Sequence, residues 1–212
     1  MLDFCILGIV AFVICLITTP ICRDLFLRLG LVDKPDLDRK FHLRAVPRMG
    51  GIPIVISYAA ALALIYYFNP SGGKIYVQHR ELFKALLPSA AIIFATGLLD
   101  DLIGMRPWQK LVGQCAGAAL AISLGTRLHS SHLPVWATCI LSFIWLIGCS
   151  NAVNLIDGMD GLATGVGLLA TLSTLLVALL SGNMGLALAT IPLAGCLLAF
   201  PVSYTHLDAA DE

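Results

Sequence analysis

Asn151, Asn154, Asp157 and Asp160 recur every third residue in NAVNLIDGMDGLATG, residues 151–165. Two carboxamides and two carboxylates offer donors, acceptors and anionic oxygens to one ligand. Steps of three put neighbours side by side on a helix, but each step falls about 60° short of a full turn. All four converge only if the helix ends or tightens near Gly158 and Gly161. A second acidic pair, Asp100–Asp101, stands in GLLDDLIGMRPWQK. Adjacent carboxylates repel, so keeping both ionised beside a low-dielectric medium requires a cation. Mg2+ suits such a place, because it takes one or two carboxylates and leaves positions for water and substrate phosphates. Mn2+ is the alternative ion. A solvated helix end or a dipole-complementing cap explains a lone aspartate in either stretch. It does not explain two acidic pairs accompanied by amides and glycines.

A third polar stretch, RKFHLRAVPRMGG, combines His42, Arg44 and Arg48 with the Gly50–Gly51 pair. Arginines give forked contacts to phosphate oxygens, and glycines let backbone approach a ligand closely. Lys110 follows the acidic pair beyond Gly104 and Pro107. Helical phase does not tell where it points, and a phosphate contact and membrane-surface anchoring are equally open. Metal-binding acids, phosphate-binding cations and amides suited to nucleobase edges together suggest phosphoryl transfer from a nucleotide. In that chemistry a protein chiefly positions groups and neutralises charge.

The elements that must position these residues are transmembrane helices. Hydrophobic residues make up 58% of the chain and charged residues 12%, against about 25% charged in soluble domains. Seven apolar runs read as spans: Phe4–Ile21, Ile52–Phe68, Phe83–Leu99, Leu111–Leu128, Leu133–Cys149, Leu162–Leu180 and Met184–Val202. Each approaches the ~20 residues needed to cross a ~30 Å hydrocarbon layer. The fourth is the weakest, diluted by Gln114 and glycines. The first run lacks a basic leader and a cleavage site, so it reads as a retained helix. The fold class is therefore an all-α polytopic bundle. Seven scattered cysteines without CxxC spacing suggest neither zinc nor redox chemistry. Basic residues crowd the first connection (Arg23, Arg28, Lys34, Arg39, Lys40, Arg44, Arg48), and the third adds Arg106 and Lys110. By the positive-inside rule the first, third and fifth connections face the cytoplasm and the N-terminus lies outside. All three polar stretches then meet one membrane face.

Three motifs in order, RKFHLRAVPRMGG, DDLIGMRPWQK and NAVNLIDGMDGLA, resemble those of the polyprenyl-phosphate N-acetylhexosamine-1-phosphate transferases. The resemblance implies transfer of a sugar-1-phosphate from a UDP-sugar to undecaprenyl phosphate, with release of UMP, at the cytoplasmic face of a bacterial inner membrane. PR before the Gly-Gly pair and NLIDG favour the GlcNAc-1-phosphate branch over the muramoyl-pentapeptide branch. It further implies that Asp100, Asp101 and Asp157 are catalytic and that, with Asp160, they serve the metal. Asn151, Asn154 and Asp160 would hold the nucleotide-sugar. His42, Arg48, Gly50, Gly51 and Lys110 would bind substrate phosphates. The implied partners are the UDP-sugar, the polyprenyl lipid and the bilayer, with no nucleic acid; a homodimer is left open.

The chain departs from that pattern. Family members have roughly ten or eleven spans, a Phe-x-Gly-Asp segment after the seventh and a later histidine-rich loop. Here the chain ends in PVSYTHLDAADE. Residues 1–202 read as a partial membrane transferase domain and 203–212 as a non-native polar tail, so the chain as it stands is expected to be inactive. Two rivals fit less well. A CDP-alcohol phosphotransferase would need a different DG spacing, an arginine and further aspartates. An ion-coupled transporter would place its ionisable residues within spans near the midplane.

Overall fold

The computed structural model describes residues 2–30, 32–33, 46–47, 50–68, 70–156 and 162–210. Among these residues eight helices and one short strand pair follow in chain order: α1 Leu2–Leu29, β1 Val32–Asp33, β2 Val46–Pro47, α2 Gly51–Phe68, α3 Pro70–Gln78, α4 Arg80–Ile103, α5 Pro107–Ser123, α6 Val135–Ile156, α7 Leu162–Leu180 and α8 Met184–Ala210. The strands pair antiparallel, Val32 with Pro47 and Asp33 with Val46. The chain divides into two compact units, Met1–Ile75 with Thr164–Glu212, and Tyr76–Ala163.

Six helices among the described residues are long and apolar enough to cross a membrane: Asp3–Leu29, Gly51–Phe68, Arg80–Ile103, Val135–Ile156, Leu162–Leu180 and Met184–Ser203. The chain is an all-α, multi-pass membrane protein. The expected fourth span is α5, which has 17 residues, about 26 Å at 1.5 Å per residue. It begins at Pro107, where a missing N–H costs nothing, and Gln109 Oε1 accepts the Arg106 N–H at 2.9 Å. It ends before Gly125, whose φ of +99° no β-carbon would favour.

In the first unit, α1 packs against α8 and α2, and α2 also touches α8. Phe4, Leu7, Ala11, Cys15 and Thr19 line the buried face of α1, whereas Ile6, Ile9, Val13, Ile17 and Ile21 are exposed. Both faces are largely apolar, and beyond Phe4 and Leu7 the inner one carries the smaller side chains Ala11, Cys15 and Thr19. This is how a helix separates a packed interface from lipid when hydrophobicity cannot distinguish the two. A β-carbon at Gly195 would collide with the Gly8 carbonyl and come within 3.3 Å of Ala11 Cβ. Hydroxyls join the helices where they meet: Thr18 and Ser57 share a 2.9 Å hydrogen bond, and Tyr58 OH donates to the Ala189 carbonyl at 3.1 Å.

In the second unit, α4 packs against α5 and α5 against α6. Gly113 and Gly117, one turn apart on α5, let it lie directly on α4. A β-carbon at Gly113 would overlap Thr96, and one at Gly117 would sit 2.6 Å from Ile93 Cγ1 and 3.1 Å from the Ser89 carbonyl. Such small-xxx-small spacing supports close helix approach in an apolar medium. It also fixes how α4 and α5 are aligned, and hence which polar side chains face each other at their ends.

Candidate active site

The turn between α4 and α5 is built around Asp100. Gly104, with φ +65°, closes α4 in a left-handed cap and donates its N–H to the Asp100 carbonyl at 2.8 Å. The next amide, Met105 N–H, donates to Asp100 Oδ1 at 3.0 Å. The other carboxylate oxygen, Oδ2, accepts Lys110 Nζ at 2.7 Å, a charge-assisted contact. Asp100 is 24% and Lys110 18% exposed by side chain, so the pair is shielded from bulk water without being sealed. Asp101 lies about 100° further round α4 and is exposed.

Lys110 also donates to Asn154 Oδ1 at 2.8 Å. One turn along α5, the buried Gln114 accepts Asn151 Nδ2 at 2.8 Å and extends its own Nε2 towards Ser150 Oγ at 3.4 Å. Lys110 and Gln114 are spaced i, i+4, and Asn151 and Asn154 i, i+3. Each pair presents one helix face, and antiparallel packing of α5 on α6 matches them rung by rung. Farther along the same interface Leu128 N–H donates to Ser142 Oγ at 2.8 Å. The Asn151 amide donates as well to its own Ile147 carbonyl at 3.0 Å.

A cleft of ≈220 Å³ opens between these helices, floored by Ile93, Thr96 and Gly97 of α4 and edged by Lys110, Gln114, Ser150, Val153 and Asn154. Ligand pockets commonly run about 300–1,000 Å³. This one falls below that range.

The spatial expectations divide. Asp100, Lys110 and Asn154 come together at one end of the second unit, and Asn151 sits one turn below them. These residues lie within helices α4, α5 and α6, whereas the sequence had assigned them to connections. The described residues carry α6 to Ile156 and resume with α7 at Leu162. Asp157, Asp160, His42, Arg44 and Arg48 lie outside the described residues. Gly50 and Gly51 belong to the first unit; Gly51 opens α2, and a β-carbon at Gly50 would touch the Phe200 ring at 3.0 Å. Packing therefore explains Gly50 without a ligand. Gln114, Ser150 and the Met105 amide were missed. For Gln114 the signal was present: a carboxamide one turn from a lysine in an apolar helix.

The described residues contain no cluster of three or more histidines, cysteines or acids suited to a metal. They do contain two oxygen donors, Asp100 Oδ2 and Asn154 Oδ1, already gathered around one cation, the Lys110 ammonium. Oxygen ligands of this type fit a hard divalent ion.

The profile of glycosyl transferase family 4 matches residues 83–205. The chain is 35% identical over 192 residues to a probable undecaprenyl-phosphate N-acetylglucosaminyl 1-phosphate transferase of Bacillus subtilis, covering 85% of this chain and 50% of that protein. It is 28% identical over 181 residues to a decaprenyl-phosphate N-acetylglucosaminephosphotransferase of Mycolicibacterium smegmatis (81% of this chain, 44% of that one). A phospho-N-acetylmuramoyl-pentapeptide-transferase of Latilactobacillus sakei is 28% identical over 193 residues (80% and 57%). The chain spans about half the length of the curated relatives it matches.

Proposed function

Because the chain belongs to glycosyl transferase family 4, we propose that it is part of an enzyme that transfers GlcNAc-1-phosphate, or a related HexNAc-1-phosphate, from a UDP-sugar to undecaprenyl phosphate. A lipid-phosphate oxygen bonds to the sugar-bearing phosphorus. The bond from that phosphorus to the bridging oxygen breaks, and UMP leaves with the electron pair. An aspartyl intermediate would divide the same exchange into two steps. The observation that supports this reading most is the meeting of Asp100, Lys110 and Asn154, drawn from three helices, beside a cleft of ≈220 Å³.

Asp100 and Asp101, with Asp157 and Asp160, would hold Mg2+ at the cytoplasmic face of the bacterial inner membrane, with the N-terminus outside. The ion supplies charge neutralisation for the diphosphate. The protein's own part is to orient the two phosphates, through Lys110, His42 and Arg48, and to bind the nucleotide through Asn151, Asn154 and Asp160. The muramoyl-pentapeptide reaction is the second reading, favoured by the match to the L. sakei protein. Nothing in the family match supports an ion-coupled transporter.

The test is a chimera in which residues 1–202 replace the matching half of the B. subtilis relative. Membranes carrying it should convert UDP-[14C]GlcNAc to butanol-extractable label with equimolar UMP. Asp100→Asn should lower the rate by about 10²-fold or more, the range seen on removing one electrostatic stabiliser. Label taken only from UDP-MurNAc-pentapeptide would move the assignment to the second reading. Sugar flux into vesicles without lipid product would overturn both.

A further inference from the structure

The Lys110 ammonium occupies the place between two oxygens that a metal ion would otherwise take. Its nitrogen is 2.7 Å from Asp100 Oδ2 and 2.8 Å from Asn154 Oδ1. Asp100 Oδ1 is turned away to the Met105 amide, which leaves Oδ2 as the carboxylate oxygen offered to a cation. A divalent ion on Oδ2 would stand about 2.0–2.1 Å from it if Mg2+. The ion and the ammonium would then be like charges within contact range in a partly water-excluded site, where repulsion is strong. One of them must leave. Lysine has the means, since its four-carbon stem is flexible and its ammonium makes no fixed fork. Lys110 also edges the cleft, so a released ammonium has a polar destination beside it.

We infer that Lys110 is an internal counter-ion that closes the metal position in the empty enzyme, and that divalent-ion loading at Asp100 releases it into the cleft to receive a phosphate oxygen. The inference rests on the proposed phosphotransfer reading and adds an order to it: ion first, diphosphate second. Without the ion, Lys110 is neutralised by Asp100 and attracts anions weakly. With it, one site gains the charge of the ion and a freed ammonium together. Lys110 is thus a positioning residue for the ion and a binding residue for the phosphate, by turns.

The experiment uses the 212-residue chain in lipid nanodiscs and Mn2+ binding read by electron paramagnetic resonance. Lys110→Met should bind Mn2+ at least about tenfold more tightly than the unaltered chain, because the competitor is gone. Lys110→Arg, which keeps a cation, should stay near the original affinity, and Asp100→Asn should lose binding. A second measurement avoids mutation altogether: Mg2+ should raise the rate at which an amine reagent modifies Lys110 several-fold, read by peptide mass. Equal or weaker Mn2+ binding by Lys110→Met, or no Mn2+ binding by either chain, overturns the inference, as does a Lys110 modification rate indifferent to Mg2+. An active chimera with such results would leave the phosphotransfer reading standing. Ion-dependent release in a chimera that makes no lipid product would do the reverse.

Discussion

The hydrogen bond from Asn151 to Gln114 discriminates between a strut and a ligand-binding group. Gln114 is 3% exposed on α5, and its Oε1 accepts Asn151 Nδ2 at 2.8 Å across the α5–α6 interface. Interhelical hydrogen bonds in membranes contribute about 0.6 kcal/mol on average and up to about 1.7. Two features set the expected value within that range. Asn151 keeps a second acceptor, the Ile147 carbonyl at 3.0 Å, so losing Gln114 does not leave its amide stranded. The Gln114–Ser150 contact, at 3.4 Å, is long enough to add little. A double-mutant cycle of Gln114→Leu and Asn151→Ala, followed by unfolding in bicelles, should therefore give a coupling of about 0.5–1.5 kcal/mol. Gln114→Leu should also weaken nucleotide binding, because Lys110 sits one turn away on the same face and relies on the same α5–α6 alignment. A coupling below about 0.2 kcal/mol would refute this. So would an Asn151→Ala variant of unchanged stability; the proposed nucleotide contact of Asn151 should weaken UMP binding in addition to the loss of stability.

Three substitutions test helix packing, two in the second unit and one in the first. Gly117→Val puts a side chain 2.6 Å from Ile93 Cγ1 and 3.1 Å from the Ser89 carbonyl. It should cost about 1–3 kcal/mol as overpacking, whereas Gly148→Ala on α6, with nothing within 4 Å of its new β-carbon, should be neutral or stabilising by up to about 1 kcal/mol; equal unfolding midpoints for the two would refute the close α4–α5 contact. Gly195→Val should part α1 from α8, because even a β-carbon collides with the Gly8 backbone, and limited proteolysis should then release α8 sooner than in the unaltered chain.

The sequence revealed the spans because the physics that makes them is local. A helix in lipid must satisfy its own backbone, so a run of apolar residues near the right length needs no tertiary information. Helix ends were less legible. Asp100 and Asp101 read as a connection, yet α4 runs on to Ile103 because Gly104, not the carboxylates, stops it. Lys110 was likewise assigned to a connection but lies in the first turn of α5, and Asn151 and Asn154 lie in the last turns of α6. An interfacial carboxylate or amide costs a helix end little, so composition cannot locate the boundary there. The partner of Lys110 was least legible of all. It depends on the alignment of α5 with α4 and α6, which Gly113 and Gly117 set by steric contact, and no periodicity within one helix encodes that.

The placement of Lys110 has a consequence for how this site handles charge. Asp100 lies in the last turn of α4 and Asn154 in the last turn of α6. The α4 C-terminus carries roughly half a negative charge and the Asp100 carboxylate adds a full one, while the α5 N-terminus, where Lys110 sits, returns about half a positive charge. Leaving Lys110 aside, the sum is a field that favours a cation over a phosphate. A diphosphate approaching it without a cation would be repelled, and Lys110, spent on Asp100 at 2.7 Å, compensates for the repulsion only partly. On the proposed phosphotransfer reading, a divalent ion would then be a precondition for anion binding and not merely an aid to the chemical step. The same field gives a reason for a lysine in a helix whose other polar side chains, Gln109, Gln114 and Ser123, are uncharged. Without it, the Asp100 carboxylate would keep the Met105 amide but lose its cationic partner.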